Sequence, residues 1–130
     1  MSLTKLTAAT LIASFGLAVA AYADLPPAST KTGVTYATDI KPIFEASCLK
    51  CHTAGKKPKG GVALDTLAGV LKGGKEGPVV TPGDSAKSDL VLAVAHQGDP
   101  DDFMPKGKDA KPLSADQIGL IRAWIDQGAK

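Results

Sequence analysis

The chain has two cysteines, and both lie in one five-residue run, Cys48-Leu49-Lys50-Cys51-His52. Residues three and four apart share one face of a helical turn, so the two thiols and the imidazole can converge on one flat ligand. This C-x-x-C-H spacing is the attachment sequence for c-type haem, in which the thiols form thioethers with the two vinyl groups and the histidine binds the iron. The sequence therefore predicts one covalent haem c, with His52 as the proximal iron ligand.

An iron that only transfers electrons needs a second axial ligand, and two residues beyond position 23 could supply it. Met104 lies in a proline-rich stretch of charged residues that has no apolar stripe for a core methionine to join. Pro105 restricts Met104 to extended backbone, which suits a loop stretched across a haem face. His96 is the alternative, although near a helix end it can equally be a cation that the helix terminus favours. We predict ligation by His52 and Met104, with His96 or a five-coordinate iron as the alternatives.

The first residues have the features of a secretory signal peptide. Lys5 gives a basic start, the run from Leu6 to Ala20 contains no charged residue, and Ala21-Tyr22-Ala23 is an A-x-A cleavage site. The run is shorter than the roughly 18 apolar residues of a spanning helix, and an uncleaved anchor is the alternative. We expect cleavage after Ala23, export to the periplasm and no stable membrane insertion of the mature protein.

Removing residues 1–23 leaves a length normal for one domain, with a net charge of +1. That balance gives no reason to expect binding to nucleic acid or to membranes in general. Residues 24–35 are rich in Pro, Ser and Thr and predict a flexible leader, and residues 36–130 predict the folded domain. Few large apolar side chains follow residue 35, so we expect the haem to form part of the hydrophobic core. The aromatic residues of this part are Tyr36, Phe44, Phe103 and Trp124.

Apolar periodicity predicts several short helices separated by long loops, and no run resembles a strand ladder. The helices are expected at 39–47, at 65–71, from Ser85 to just before Gly98, and after a capping box formed by Ser114 and Gln117. Residues 97–113 contain no apolar period, and a structureless loop of that length is usually functional.

Five pieces of the sequence together resemble the planctomycete-type cytochrome c domain, a branch of the single-haem cytochrome c fold. They are the haem motif, Gly60-Gly61-Val62-Ala63-Leu64-Asp65, Pro82-Gly83-Asp84, Phe103-Met104-Pro105 and Ile121-Arg122-Ala123-Trp124-Ile125. The resemblance covers nearly all of residues 36–129. One departure is Lys106, where such domains often have a second proline, and it bears on loop stiffness more than on ligation.

The resemblance implies a small all-α, cytochrome c-like domain of short helices and long loops wrapped around one covalent haem. Cys48 and Cys51 would hold the haem, and His52 and Met104 would ligate the iron. The implied function is that of a periplasmic electron carrier, not an enzyme, whose iron cycles between Fe(II) and Fe(III) as it meets redox partner proteins.

Two other classes of protein are the alternatives. A haem enzyme or gas-sensing domain would have an open or bis-histidine iron, and a C-x-x-C pair alone also permits a zinc or disulfide redox module. Lysines cluster near the motif and predict either a basic rim that steers an acidic partner or an ordinary solvated loop. They are Lys50, Lys56, Lys57 and Lys59.

Overall fold

The computed structural model describes residues 24–130. In this part of the chain four α-helices are joined by loops and short turns, and the only β-type pairing is a bridge between Gly74 and Gly77. The helices are α1 (Lys41–Ser47), α2 (Leu67–Lys72), α3 (Asp89–Val94) and α4 (Ala115–Asp126). The all-α fold class is therefore confirmed. None of these helices is both long and apolar enough to cross a bilayer, and the expected signal peptide lies outside the described residues.

α4 is the longest helix, and its start follows the sequence signal. The Ser114 hydroxyl accepts the backbone N–H of Gln117 at 3.2 Å, and the Gln117 side chain accepts the N–H of Ser114 at 2.9 Å. This reciprocal pair is the capping box that the sequence predicts. The apolar face of α4 is buried throughout its length, through Ile118, Ile121, Ala123, Trp124 and Ile125.

The aromatic centre of the core joins α4 to the first helical segment. Trp124 is fully buried, and its indole N–H donates to the Lys130 carbonyl at 2.9 Å. The Tyr36 ring lies 6.1 Å from the Trp124 ring and 6.3 Å from the Phe44 ring, centroid to centroid. Tilted pairs at this spacing stabilise a core beyond the area that they bury. Ile40 is also fully buried in this cluster, so the core holds the base of α1 firmly against α4.

The first helix begins later than the sequence predicts because a π-helical turn, Tyr36–Ile40, precedes α1. The Thr35 hydroxyl caps this turn by accepting the N–H of Thr38 at 3.3 Å. Asp39, the expected cap, instead accepts the N–H of Thr35 at 3.0 Å with its side chain. The C-terminal end of α1 lies where the sequence predicts it, since the helix ends at Ser47 and leads directly into Cys48.

The two middle helices are also shorter than predicted. α2 begins after Thr66, whose hydroxyl accepts the N–H of Gly69 at 3.0 Å. The helix expected from Ser85 divides in two, because Ser85–Lys87 is a 3₁₀ turn capped by Asp84 and α3 starts only after Ser88. The Ser88 hydroxyl donates to the Asp84 carbonyl at 2.9 Å and fixes the bend between the two pieces.

Residues 24–35, which we call the N-terminal strap, lie along α4. The Ser29 N–H donates to the Gly119 carbonyl at 2.9 Å. The N–H of Val34 donates to the side-chain oxygen of Gln127 at 3.2 Å, and Val34 is buried. The composition of this segment predicts a flexible leader, but these contacts attach it to the domain. The division of the chain at residue 36 stays a prediction.

A polar network connects the strap to the turn before α3. The Arg122 guanidinium donates to the Pro26 carbonyl and, at 3.1 Å, to the Ser85 hydroxyl. Ser85 is almost fully buried, and its hydroxyl donates to the Asp126 carboxylate at 3.0 Å. Because each of these polar groups has a partner, α4 can hold the strap and the turn together without leaving a buried polar group unsatisfied.

At Gly119 the strap approaches α4 closely, since a Cβ there would lie 2.6 Å from the Pro27 carbonyl oxygen. Alanine favours a helix by about 1 kcal/mol over glycine, but forcing the strap away is expected to cost roughly 1–3 kcal/mol. We therefore expect Gly119→Ala to destabilise the protein by about 1 kcal/mol and to lower its unfolding temperature by about 4–8 °C. Thermal unfolding followed by circular dichroism measures this.

The control is the same substitution in a chain that lacks residues 24–29. There the carbonyl is gone, and Gly119→Ala is expected to raise the unfolding temperature. An equal loss of stability in both backgrounds would contradict the role assigned to the strap.

Candidate haem site

Cys48, Cys51 and His52 lie on one turn directly after α1. The N–H groups of Cys51 and His52 both donate to the Cys48 carbonyl, at 3.1 and 3.0 Å. The N–H of Cys48 donates in turn to the carbonyl of Phe44, which is fully buried, at 2.7 Å. The motif is thus anchored to the core, and its three side chains line one cleft.

The two cysteines are free thiols, Cys48 partly buried and Cys51 exposed. Burial raises the pKa of the Cys48 thiol to about 11, so this thiol is protonated at neutral pH. Redox-active C-x-x-C pairs depend on the opposite shift, a pKa lowered well below that of free cysteine. The environment of Cys48 therefore disfavours the disulfide redox module. It suits addition of the thiol across a vinyl double bond, in which sulfur bonds one carbon and the hydrogen goes to the other.

The His52 ring is oriented by the backbone of the following loop. Nδ1 lies 3.0 Å from the Val62 carbonyl oxygen. A carbonyl can only accept, so Nδ1 carries the proton and the lone pair stays on Nε2. The Leu64 N–H also donates to the His52 carbonyl at 2.8 Å, which holds ring and backbone against the same loop. Metal-binding histidines commonly use such a second partner to fix the ring and to raise ligand basicity.

The cleft has a volume of about 1240 Å³, larger than the roughly 300–1,000 Å³ of most small-molecule sites. Apolar side chains from the loop after the motif, from the segment before α3 and from α3 itself form much of its wall: Val62, Leu64, Val79, Leu90, Leu92 and Val94. A wide cleft with apolar walls and the three motif residues at its side fits a flat macrocycle of apolar faces, as c-type haem requires.

Met104 lines the same cleft as the haem motif, although it lies 52 positions after His52 in the sequence. The residue is partly buried and packs against the hydrophobic core. Its N–H donates to the Ala93 carbonyl at 3.0 Å, which ties the long loop 97–113 to α3. The structure thus brings together all four predicted site residues around one space.

His96, the alternative ligand, is not among the residues that line the cleft. Its Nε2 lies 3.0 Å from the Met104 carbonyl oxygen, and its ring stacks on Phe103 with centroids 4.8 Å apart and planes 3° from parallel. Because the carbonyl can only accept, Nε2 carries a proton and has no lone pair for a metal. His96 therefore contacts the loop that carries Met104, residues 97–113, which we call the methionine loop, and does not line the cleft.

Residues 48–107 match the family model described as Planctomycete cytochrome C. This segment is similar to that cytochrome c family. The match starts at the first cysteine of the motif and ends at Gly107, within the methionine loop, so it spans all four site residues in somewhat under half of the chain. No curated protein and no solved structure matches the chain.

A cytochrome c domain implies haem and a role in electron transfer, and domains of this type are typically exported. Two residues of the site escape sequence reasoning. The Val62 carbonyl that orients His52 is a backbone group, which residue type does not reveal, although the Gly60-Gly61 turn before it marks a return of the chain. The contact of His96 with the methionine loop is the second.

Charged residues of both signs line the cleft. Lys50 and Lys59 line it, whereas Lys56 and Lys57 are exposed on the loop outside it. Further lysines and acidic residues also line it: Lys75, Lys106, Lys108 and Lys111, with Glu45, Glu76, Asp89, Asp99, Asp102 and Asp109. The rim is therefore mixed in sign, a pattern that favours orientation of a partner over strong general attraction.

Proposed function

We propose that this chain is a single-haem c-type cytochrome that carries electrons in the periplasm. The observation that carries the proposal is the convergence of Cys48, Cys51, His52 and Met104 on one apolar cleft. In the proposal the two cysteines hold one haem through thioether bonds, and His52 Nε2 and the Met104 sulfur ligate its iron. When bound, the haem supplies a one-electron Fe(II)/Fe(III) couple.

The chain's own residues then tune and protect that couple. The Val62 carbonyl keeps the His52 ring in one tautomer and makes Nε2 a more basic ligand for the iron. Met104, a neutral thioether, favours the reduced iron and raises the potential. The apolar walls of the cleft exclude water and lower the local dielectric, which acts in the same direction. No acid–base group is needed, so the proposed protein is a carrier and not an enzyme.

The competing proposal is a haem enzyme or gas sensor, which needs an open or bis-histidine iron. A bis-histidine iron would require His96 to enter the cleft, which it does not line, and so to leave the Met104 carbonyl. An open iron would require the Met104 side chain to stay away from the cleft that it lines. Both arrangements need a rearrangement of the loop 97–113.

The proposed location follows from the sequence and the family together. Residues 1–23 are proposed to be a signal peptide cleaved after Ala23, residues 24–35 the leader that forms the strap, and residues 36–130 the cytochrome domain. Cytochrome c domains of this type are typically exported. The partners are proposed to be electron donor and acceptor proteins, with no role for nucleic acid.

Absorption spectroscopy on the mature protein, produced together with the haem-attachment machinery, tests the proposal. Acid–organic extraction is expected to leave the pigment on the polypeptide, because thioether bonds survive it. The reduced protein is expected to bind carbon monoxide hardly at all, because both axial positions are filled. Extraction of the pigment would contradict covalent attachment, and rapid carbon monoxide binding would favour the enzyme or sensor.

A further inference from the structure

His96 occupies a backbone conformation that ordinarily favours another residue. It follows the C-cap of α3 with φ +54°, in the left-handed region. The N–H of Gln97 donates to the Leu92 carbonyl at 2.9 Å, and the N–H of His96 donates to the Ala93 carbonyl at 3.3 Å. These two bonds are the Schellman ending of a helix, in which glycine or asparagine usually takes the left-handed position. The backbone alone does not explain a histidine here.

The side chain of His96 gives the explanation. Its Nε2 donates to the Met104 carbonyl at 3.0 Å, and its ring stacks on Phe103, the residue before Met104. The Met104 N–H donates to Ala93, one turn back on α3. Both backbone polar groups of Met104 are therefore held by the end of the same helix, one by main chain and one by the His96 side chain.

We propose that His96 is a positioning residue that holds Met104 against the cleft and so strengthens the bond between its sulfur and the iron. This inference rests on the proposed function, in which Met104 is an iron ligand. A left-handed, strained residue at a loop that must stay in place is where side-chain function outweighs backbone preference. Without the imidazole, the carbonyl of Met104 would turn to water, and Met104 would be held only through its N–H.

Displacement of the methionine by a small competing ligand measures this hold. Imidazole is titrated into the oxidised protein while loss of the thioether–iron charge-transfer absorption is followed. His96→Gly removes the side chain but supplies the residue that the helix end prefers. Its unfolding temperature is expected not to fall, and its affinity for imidazole is expected to rise about five- to tenfold, the effect of one lost hydrogen bond.

Two further variants separate the causes. His96→Gln restores an amide donor at a similar reach, and its imidazole affinity is expected to lie between those of the wild type and His96→Gly. Lys57→Gly is the matched control, because Lys57 is also an exposed residue with positive φ, at +50°, and has no hydrogen bond to the methionine loop. Its imidazole affinity is expected to equal that of the wild type.

The outcomes distinguish this inference from the proposed function. A wild-type protein without the charge-transfer band would overturn both, since Met104 would not be a ligand. If the wild type shows the charge-transfer band and His96→Gly has the same imidazole affinity as the wild type, only the role of His96 would be overturned. The role of His96 would also be overturned if His96→Gln binds imidazole as tightly as His96→Gly does. The lost hydrogen-bond donor would then not be the cause of the tighter binding.

Discussion

Met104→Ala is expected to abolish the thioether–iron charge-transfer band and to lower the reduction potential by on the order of 0.1–0.3 V, within the roughly 0.8 V span that axial ligands control. The physical reason is that a neutral sulfur ligand stabilises the reduced iron, and water or an empty position does not. The reduced variant is also expected to bind carbon monoxide readily. Redox titration and absorption spectra measure all three effects.

A matched control separates loss of sulfur from loss of packing. Leu92 also lines the cleft and is partly buried, yet it carries no ligand atom. Leu92→Ala is expected to lower stability while leaving the charge-transfer band in place and shifting the potential much less. If Met104→Ala keeps the band, or if both variants shift the potential equally, the assignment of Met104 as ligand is wrong.

The double variant Cys48→Ser/Cys51→Ser is expected to lose most of its helical circular dichroism, because the haem can no longer be attached. The cleft of about 1240 Å³ would leave its apolar wall facing water, in a domain with few large side chains to close it. A group that completes the core contributes its binding energy to folding. We expect a loss of more than about 5 kcal/mol, the lower end of the total stability of a domain.

The single variant Cys51→Ser serves as the control. Cys51 is exposed, so serine there disturbs no packing, and one thioether can still form at Cys48. Its unfolding temperature is expected to lie between those of the wild type and the double variant. A double variant that unfolds cooperatively at the wild-type temperature would show that the polypeptide core is sufficient alone.

The parts of the fold that the sequence predicts best are those that local chemistry decides. Ser114 and Gln117 are three residues apart and can cap α4 without help from the rest of the chain, and the structure has this box. The bend at Ser88 was not predictable in this way, because its hydroxyl chooses between continuing a helix and bonding the Asp84 carbonyl. The strap escaped prediction for a similar reason, since its partner Gly119 lies some 90 residues further along the chain.

The residues of the candidate site also differ in whether local sequence is enough to predict them. Cys48, Cys51 and His52 form a contiguous motif whose spacing predicts its chemistry, and Met104 is predicted as the second ligand by elimination among few candidates. From the sequence, His96 could be a ligand or a cation at a helix end. Its contact with the Met104 carbonyl depends on a left-handed backbone that the residue type does not indicate. Backbone carbonyls such as that of Val62 are present at every position, so only the folded chain selects one.

The loop that follows the haem motif is pinned at its base and exposed at its tip. The Lys59 N–H donates to the Cys51 carbonyl at 3.2 Å and the Leu64 N–H to the His52 carbonyl at 2.8 Å, while Lys56 and Lys57 project on the exposed part between. Charge can therefore be exchanged at the tip without disturbing the Val62 carbonyl beside the imidazole. Over evolution, such a molecule can change which proteins it meets and keep unaltered the energy of the electron that it delivers.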